Sequence, residues 1–347
     1  MSKVRARGED IRRFILEHVE KHPNDIGRVT AERFQITRQA INKHLQKLCI
    51  EQALAESGKT RSRVYKLAAL VEWQQSWAIT RELAEDLVWA DSIRPLLSPL
   101  PDNVLDIWHY GFTEMFNNAI DHSSGSEIQV RIRKNAMSTE MLLIDNGVGI
   151  FKKIQTSMNL LDERHAILEL SKGKLTTDPS NHSGEGIFFT SRMFDSFDIL
   201  SGNVFFTHQF GNEEDWILES KSLASGTSVW MKIHNHTSRT TKKIFDKFTS
   251  GDEYGFNKTV VPVKMAQYGE DKLISRSQAK RVLARVELFK TVIFNFESVE
   301  VIGQAFADEI FRVFSQRHPE IELLAIKTNG EVKKMISRAK LGNVAAA

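Results

Sequence analysis

The sequence predicts a multidomain α+β protein of three modules in series, and three observations carry that prediction. The first seventy residues pass from a helical repeat of apolar positions to two short extended runs around a basic turn. The middle follows a long amphipathic helix with strand-like stretches and glycine-rich turns. The last hundred residues alternate strand-like and helix-like segments. A chain of 347 residues is long enough for roughly two to three domains, each with its own core.

Composition excludes several classes. With 41% hydrophobic and 26% charged residues the chain is an ordinary globular one rather than a disordered one. No apolar run approaches the ~20 residues needed to cross a bilayer, so no membrane partner is expected. The start, Met1-Ser2-Lys3-Val4-Arg5, leads into charged residues rather than an apolar signal core. A single cysteine, Cys49, excludes an internal disulfide framework and a cysteine-rich metal site, and a cytoplasmic location is expected.

Residues 1–70 form the first module. Ile11, Phe14, Ile15 and Val19 make one helix face, Pro23-Asn24-Asp25 breaks it, and Ile26 to Phe34 fits a short second helix. Thr37 is placed to cap a third helix with Ala40, Ile41, Leu45 and Leu48 inward. Its other face carries Arg38, Gln39, Asn42, Lys43 and Gln46, residue types that read base edges or grip phosphates in a major groove. Two short strands then flank a basic turn with Lys59, Arg61 and Arg63. Residues 1–70 hold 15 Lys and Arg against 8 Asp and Glu, a net +7, whereas the remainder holds 32 against 36, a net −4. A nucleic-acid contact therefore belongs at the front. The run Ile36-Thr37-Arg38-Gln39-Ala40-Ile41-Asn42-Lys43-His44-Leu45, with the basic turn behind it, resembles bacterial winged helix-turn-helix regulators. That resemblance implies double-stranded DNA as partner. Cys49 lies beside the apolar stripe and reads as a small core residue.

Residues 71–103 read as a mostly helical connector, with Trp73, Trp77, Leu83, Leu87 and Trp89 for apolar contacts and Pro95, Pro99 and Pro101 to end it. Residues 104–240 form the second module. Val104 to Asp121 is helical, with Leu105, Trp108, Phe112, Met115, Phe116 and Ala119 inward. Glu114 and Asn118 fall four apart on one face, where a carboxylate can polarise a water and an amide oxygen can meet a hard cation. Ile128–Lys134 and Met141–Ile144 read as strands, the second ending on Asp145-Asn146-Gly147-Val148-Gly149. Phe151 to Ser183 is a long insertion containing Lys172 and Lys174. Gly184-Glu185-Gly186 then opens a helix, and Gly226-Thr227 begins a late strand.

In this order and spacing the four segments resemble the ATP-binding core of histidine kinases, anti-sigma-factor kinases, gyrase and mismatch-repair ATPases, the histidine-kinase-like (GHKL-type) ATPases. The resemblance implies an α/β sandwich with ATP and Mg²⁺ as cofactors. It assigns Glu114 as catalytic base, Asn118 as Mg²⁺ ligand, and Asp145 as acceptor for the adenine amino group. It places Gly147, Gly149, Gly184 and Gly186 beside the nucleotide, Thr227 at the base, and Lys172 and Lys174 in a lid over the phosphates. Whether ATP is hydrolysed stays open, because such folds serve fast and very slow ATPases alike. His165 lies in Asp162-Glu163-Arg164-His165-Ala166, which does not match a phosphoacceptor helix, so a histidine-kinase role is not expected.

Residues 241–340 form the third module, a small α/β layer with strands at Thr259–Lys264, Thr291–Phe296 and Ile321–Ile326 and helices between and after them. The run Phe294-Asn295-Phe296-Glu297-Ser298-Val299-Glu300-Val301-Ile302-Gly303-Gln304-Ala305-Phe306 resembles the STAS fold, most closely a STAS-like domain of unknown function from bacterial regulators. Anti-sigma-factor antagonists of that fold carry a phosphoacceptor serine at this turn, whereas Gly303-Gln304-Ala305-Phe306 offers no hydroxyl. Docking of a protein partner or homodimerisation is the expected role. Together the modules suggest an ATP-binding, DNA-binding transcriptional regulator switched by ATP and Mg²⁺ binding or slow hydrolysis. The alternative is an anti-sigma-type serine/threonine kinase acting on a separate STAS-like partner.

Overall fold

In the computed structural model the described residues are 3–59, 62–175, 184–211, 215–249, 255–267 and 272–341. They form a mixed α/β protein with three sheets. Helices α1 (Lys3–His18), α2 (Ile26–Phe34) and α3 (Arg38–Ile50) precede a two-stranded antiparallel sheet of β1 (Leu54–Ser57) and β2 (Val64–Leu67). Their apolar stripes meet in a separate small core around Ile11, Ile15, Val19, Ile41, Leu45 and Leu54. The Thr37 hydroxyl accepts from Ala40 N–H at 3.3 Å, the cap expected for α3. Cys49 is half-buried against this core, and burial pushes its thiol up, as for an inert core residue.

The second sheet has five antiparallel strands in the order β3-β4-β5-β7-β6, with β3 Val71–Ala78, β4 Glu127–Lys134, β5 Ser138–Asp145, β6 Ser196–Gln209 and β7 Asp215–His234. Period-two alternation in β4 buries Ile128, Val130 and Ile132 and turns Gln129, Arg131 and Arg133 outward. Residues 71–78 are thus an edge strand and not part of a helical connector. Trp73 and Trp77 share one strand face, and the Trp77 ring meets Phe116 edge-on at 5.8 Å. Helical structure begins only at α4 (Glu85–Val88) and continues through a π turn at Trp89–Ile93 into α5 (Arg94–Leu97).

On the buried face of the sheet lies α6 (Asp102–His122), with Trp108, Phe112, Met115, Phe116 and Ala119 inward. Burying each of the large ones is worth about 1.5–3 kcal/mol, which fixes the rotation of α6 and hence the position of Glu114 and Asn118. The expected lid is only partly irregular. It contains α7 (Ile150–Ser157) and α8 (Glu163–Lys172), whose Phe151, Ile154, Ile167 and Leu170 join the core. Helix α9 (Gly186–Met193) follows. Residues Thr176 to Ser183, the rest of that segment, lie outside the described residues.

Helix α10 (Thr241–Phe248) packs back on the central layer, Phe245 meeting Tyr110 at 5.5 Å and Phe189 at 4.5 Å. The third sheet is parallel, in the order β10-β9-β8, from β8 (Lys258–Pro262), β9 (Thr291–Asn295) and β10 (Glu322–Ile326). Helices α11 (Arg276–Leu283), α12 (Gln304–Asp308), α13 (Ser315–Arg317) and α14 (Gly330–Leu341) complete it. Phe256 touches Phe188 at 4.6 Å and Phe289 at 5.2 Å, so the second and third layers share one continuous core.

Candidate functional site

A cavity of about 260 Å³ opens between α6, α7, α8 and α9 and the strands β5, β6 and β7. Glu114 and Asn118 of α6, Asp145 at the end of β5, Gly184 and Gly186 at the start of α9, and Thr227 of β7 all line it. Residues from four separate stretches, expected to act together, therefore meet at one site. The walls between them are apolar at Leu143, Ile150, Ile154, Ile199 and Val229 and polar at His122, Ser123 and Lys153.

Asp145 is 5% exposed. Its Oδ1 accepts from Gly147 N–H at 2.8 Å and Thr227 N–H at 3.3 Å. Burial raises its carboxyl above the usual carboxylate range, and these bonds offset only part of that effect. The Thr227 hydroxyl oxygen accepts from Ile150 N–H at 3.0 Å, tying β7 to the first turn of α7. Asn146 serves the fold, its Oδ1 accepting from Ser126 and Glu127 N–H at 2.8 and 3.1 Å.

The glycines are steric requirements. A Cβ on Gly147 would lie 2.1 Å from the Ser123 carbonyl oxygen, so the loop passes directly against the end of α6. Gly149 adopts φ +87 and abuts the Ser201 hydroxyl. Neither is a lining residue; together they let the backbone fold under the cavity floor. Gly147→Ala is expected to lower stability by about 1–3 kcal/mol, because its clash is with backbone rather than a movable side chain. Urea unfolding measures this, and a midpoint equal to wild type would contradict the close approach. At Gly186 a Cβ would fall 1.9 Å from Glu114 Oε2, so this glycine leaves room for the carboxylate itself. The first turn of α9 leaves N–H groups without an intrahelical partner at the cavity.

Two residues expected at the phosphates, Lys172 and Lys174, are not among those that line the cavity. Lys172 is fully buried, and its Nζ donates to Glu169 Oε1 at 2.7 Å and to the Arg281 and Ala284 carbonyls at 3.0 and 2.8 Å. Lys174 Nζ donates to the Leu288 carbonyl at 2.9 Å and lies over the Phe289 ring. Both lysines fasten the cavity wall to the C-terminal layer, Lys172 at the end of α11 and Lys174 at Leu288 just beyond it. Lys153 of α7, by contrast, lines the cavity without being marked by any of the sequence motifs. No local pattern marks it, because its facing depends on how α7 packs.

In the first module Arg38, Gln39, Asn42 and Lys43 are all exposed on one side of α3. Lys59 is exposed in the turn between β1 and β2. Arg63 is half-buried, 3.6 Å from Glu56 and bonded to the Tyr65 hydroxyl, so part of its charge is spent within the sheet. Arg61 lies outside the described residues.

Among the described residues no helix is long and apolar enough to cross a membrane, and no group of three or more His, Cys, Asp or Glu could hold a metal ion. No curated protein matches the chain. Residues 278–333, running from α11 into α14, match the STAS-like domain of unknown function (DUF4325), so the C-terminal layer contains a STAS-like domain.

Proposed function

We propose that the cavity binds ATP with Mg²⁺, in a domain of the histidine-kinase-like ATPase type, and that the chain is a transcriptional regulator that binds DNA through an N-terminal winged helix. The reading rests on one observation above others: Glu114, Asn118, Asp145, Gly184, Gly186 and Thr227 converge on a single cavity. The residues suit the ligand. Asp145 offers a buried acceptor to an amino group, apolar walls suit a base, and the first turn of α9 offers N–H groups to phosphate oxygens. Asn118 offers one amide oxygen to Mg²⁺, a cation that takes much of its shell from phosphates and water. Bound ATP supplies a terminal phosphoryl group open to attack by water. Glu114 would hold that water and take up its proton as ADP leaves, and Gly186 leaves space for the carboxylate. Tyr110 stands near Glu114, and burial foremost, then the Glu114 and Glu185 carboxylates, keeps its hydroxyl protonated as a donor.

Titration of Mg·ATP into the full-length protein is expected to give saturable binding that adenosine shares and that millimolar guanosine does not displace. Absence of any adenine-nucleotide binding would sink the proposal.

The DNA reading rests on the exposed polar face of α3 and the net +7 of residues 1–70. Asn42→Ala is expected to weaken the selected DNA site about tenfold and relax preference at one base pair. Lys43→Ala is expected to weaken all sequences alike and reduce the slope of log K against log salt by about 1. Selection from a random DNA pool, with and without ATP, supplies the site. If affinity at one fixed salt concentration is the same for the apo and ATP–Mg²⁺ forms, ATP does not switch DNA binding.

A further inference from the structure

Among the described residues that line the cavity, Lys153 is the lysine. It stands on α7, one turn after the Gly149 cap, and shares the cavity lining with Glu114, Asn118, His122 and Asp145. Its Nζ donates to the His122 carbonyl oxygen at 2.7 Å. That acceptor is neutral and uses one of three ammonium donors, so the charge of Lys153 is positioned without being cancelled. The other local lysines cannot serve. Lys172 is consumed by Glu169 and two carbonyls, and Lys174 by Leu288 and the Phe289 ring. Among the described residues the lining contains the carboxylates of Glu114 and Asp145, so a polyanion entering it meets like charge unless a cation is supplied. A wall lysine fixed by a backbone carbonyl provides that cation at no cost in reorganisation.

We infer that Lys153 binds the phosphate tail of the ligand, and that it sets the preference of this cavity for a nucleoside polyphosphate over the bare nucleoside. The inference rests on the ATP reading of the cavity. In it the Lys153 ammonium keeps its bond to the end of α6 and turns its remaining N–H groups to phosphate oxygens. Lys152, its neighbour, is exposed and bonds Gln155 Oε1 at 3.3 Å, which makes it an internal control.

The test is calorimetric binding of ATP, ADP, AMP and adenosine, each with Mg²⁺, to full-length wild type, Lys153→Met, Lys153→Gln, Lys153→Arg and Lys152→Met. Removing one charge-assisted contact is expected to cut ATP affinity about tenfold or more while adenosine affinity changes less than about twofold. Lys153→Arg restores most of the preference for ATP, and Lys152→Met leaves it intact. Lys153→Gln keeps a donor for the His122 carbonyl, so it reports the charge even if Lys153→Met fails to fold. An ATP-to-adenosine ratio unchanged in both neutral variants overturns the role of Lys153 while leaving the nucleotide site standing. A wild-type protein that binds none of the four ligands overturns the nucleotide site itself, and the role of Lys153 with it.

Discussion

Asp145→Asn is expected to abolish ATP binding at working concentrations without weakening the fold. In the wild type one carboxylate oxygen of the buried Asp145 is held by the Gly147 and Thr227 N–H groups. The amide oxygen of asparagine can accept the same two bonds, but its other atom becomes an NH₂ donor. An adenine amino group would then face a donor where it needs an acceptor, and the loss is at least about a hundredfold in affinity. The same change should favour a 6-oxo purine, so ITP is expected to gain relative to ATP. Stability runs the other way. Burial raises the folded-state carboxyl above its unfolded value, so the stability tied to its proton is fully present below the unfolded pKa and lost as pH rises through the raised folded one. At neutral pH the charged Asp145 is therefore a cost, and the asparagine variant should melt at or above the wild-type temperature. As pH falls, Asp145 takes up its proton early, so ATP affinity of the wild type should begin to drop while the pH is still above the ordinary carboxylate range. Calorimetry with ATP and ITP, beside a thermal melt, separates the outcomes. A variant with unchanged ATP affinity would remove Asp145 from base recognition.

The glycine turns, the Glu114 and Asn118 pair and the strands β4 and β5 were legible because each follows from local rules: a turn that excludes a Cβ, a spacing of four, an alternation of two. Strand β3 was hidden because Val71-Glu72-Trp73-Gln74-Gln75-Ser76-Trp77 sets tryptophans four apart, a spacing shared by one helix face and one strand face. Only pairing with β4 decides it. Strand β6 was hidden because Gly202 interrupts it at a register shift. Lys172 could not be read at all. A lysine between serine and glycine in a polar stretch is ordinarily solvated, and the carbonyls that claim this one lie 109 and 112 residues away. That Lys153 faces the cavity depends on how α7 packs, which also lies beyond local pattern.

Lys172→Met is expected to be the most destabilising single change outside the apolar core. Its ammonium is enclosed by Glu169, the Arg281 carbonyl and the Ala284 carbonyl, while its own carbonyl accepts from the Thr259 hydroxyl at 2.6 Å. Arg285 continues the network to Glu169 Oε2 at 3.4 Å and to the Lys174 carbonyl, and His165 Nε2 lies 3.6 Å from Glu169 Oε1. Burial alone would raise the Glu169 carboxyl, but His165, Lys172 and Arg285 together hold it below the usual range. Truncating the lysine leaves a buried carboxylate short of a partner and removes the Nζ donor from the Ala284 carbonyl, a loss of about 3–5 kcal/mol. Adding Glu169→Leu removes the stranded charge, so the double variant should recover part of the loss, as seen in urea midpoints. The pH dependence has a definite sign. A depressed folded-state carboxyl contributes stability that is present above the unfolded pKa and lost as pH falls through the folded one, so the acid limb of unfolding should be shallower once Glu169 is replaced. The consequence reaches the cavity. Leu170 and Leu175 line it, while Lys172 and Lys174 between them grip the STAS-like layer. Loosening that grip should expose the C-terminal layer to protease and also weaken ATP binding. A Lys172→Met protein that loses stability yet binds ATP as the wild type does would show the two layers to be joined mechanically but not energetically.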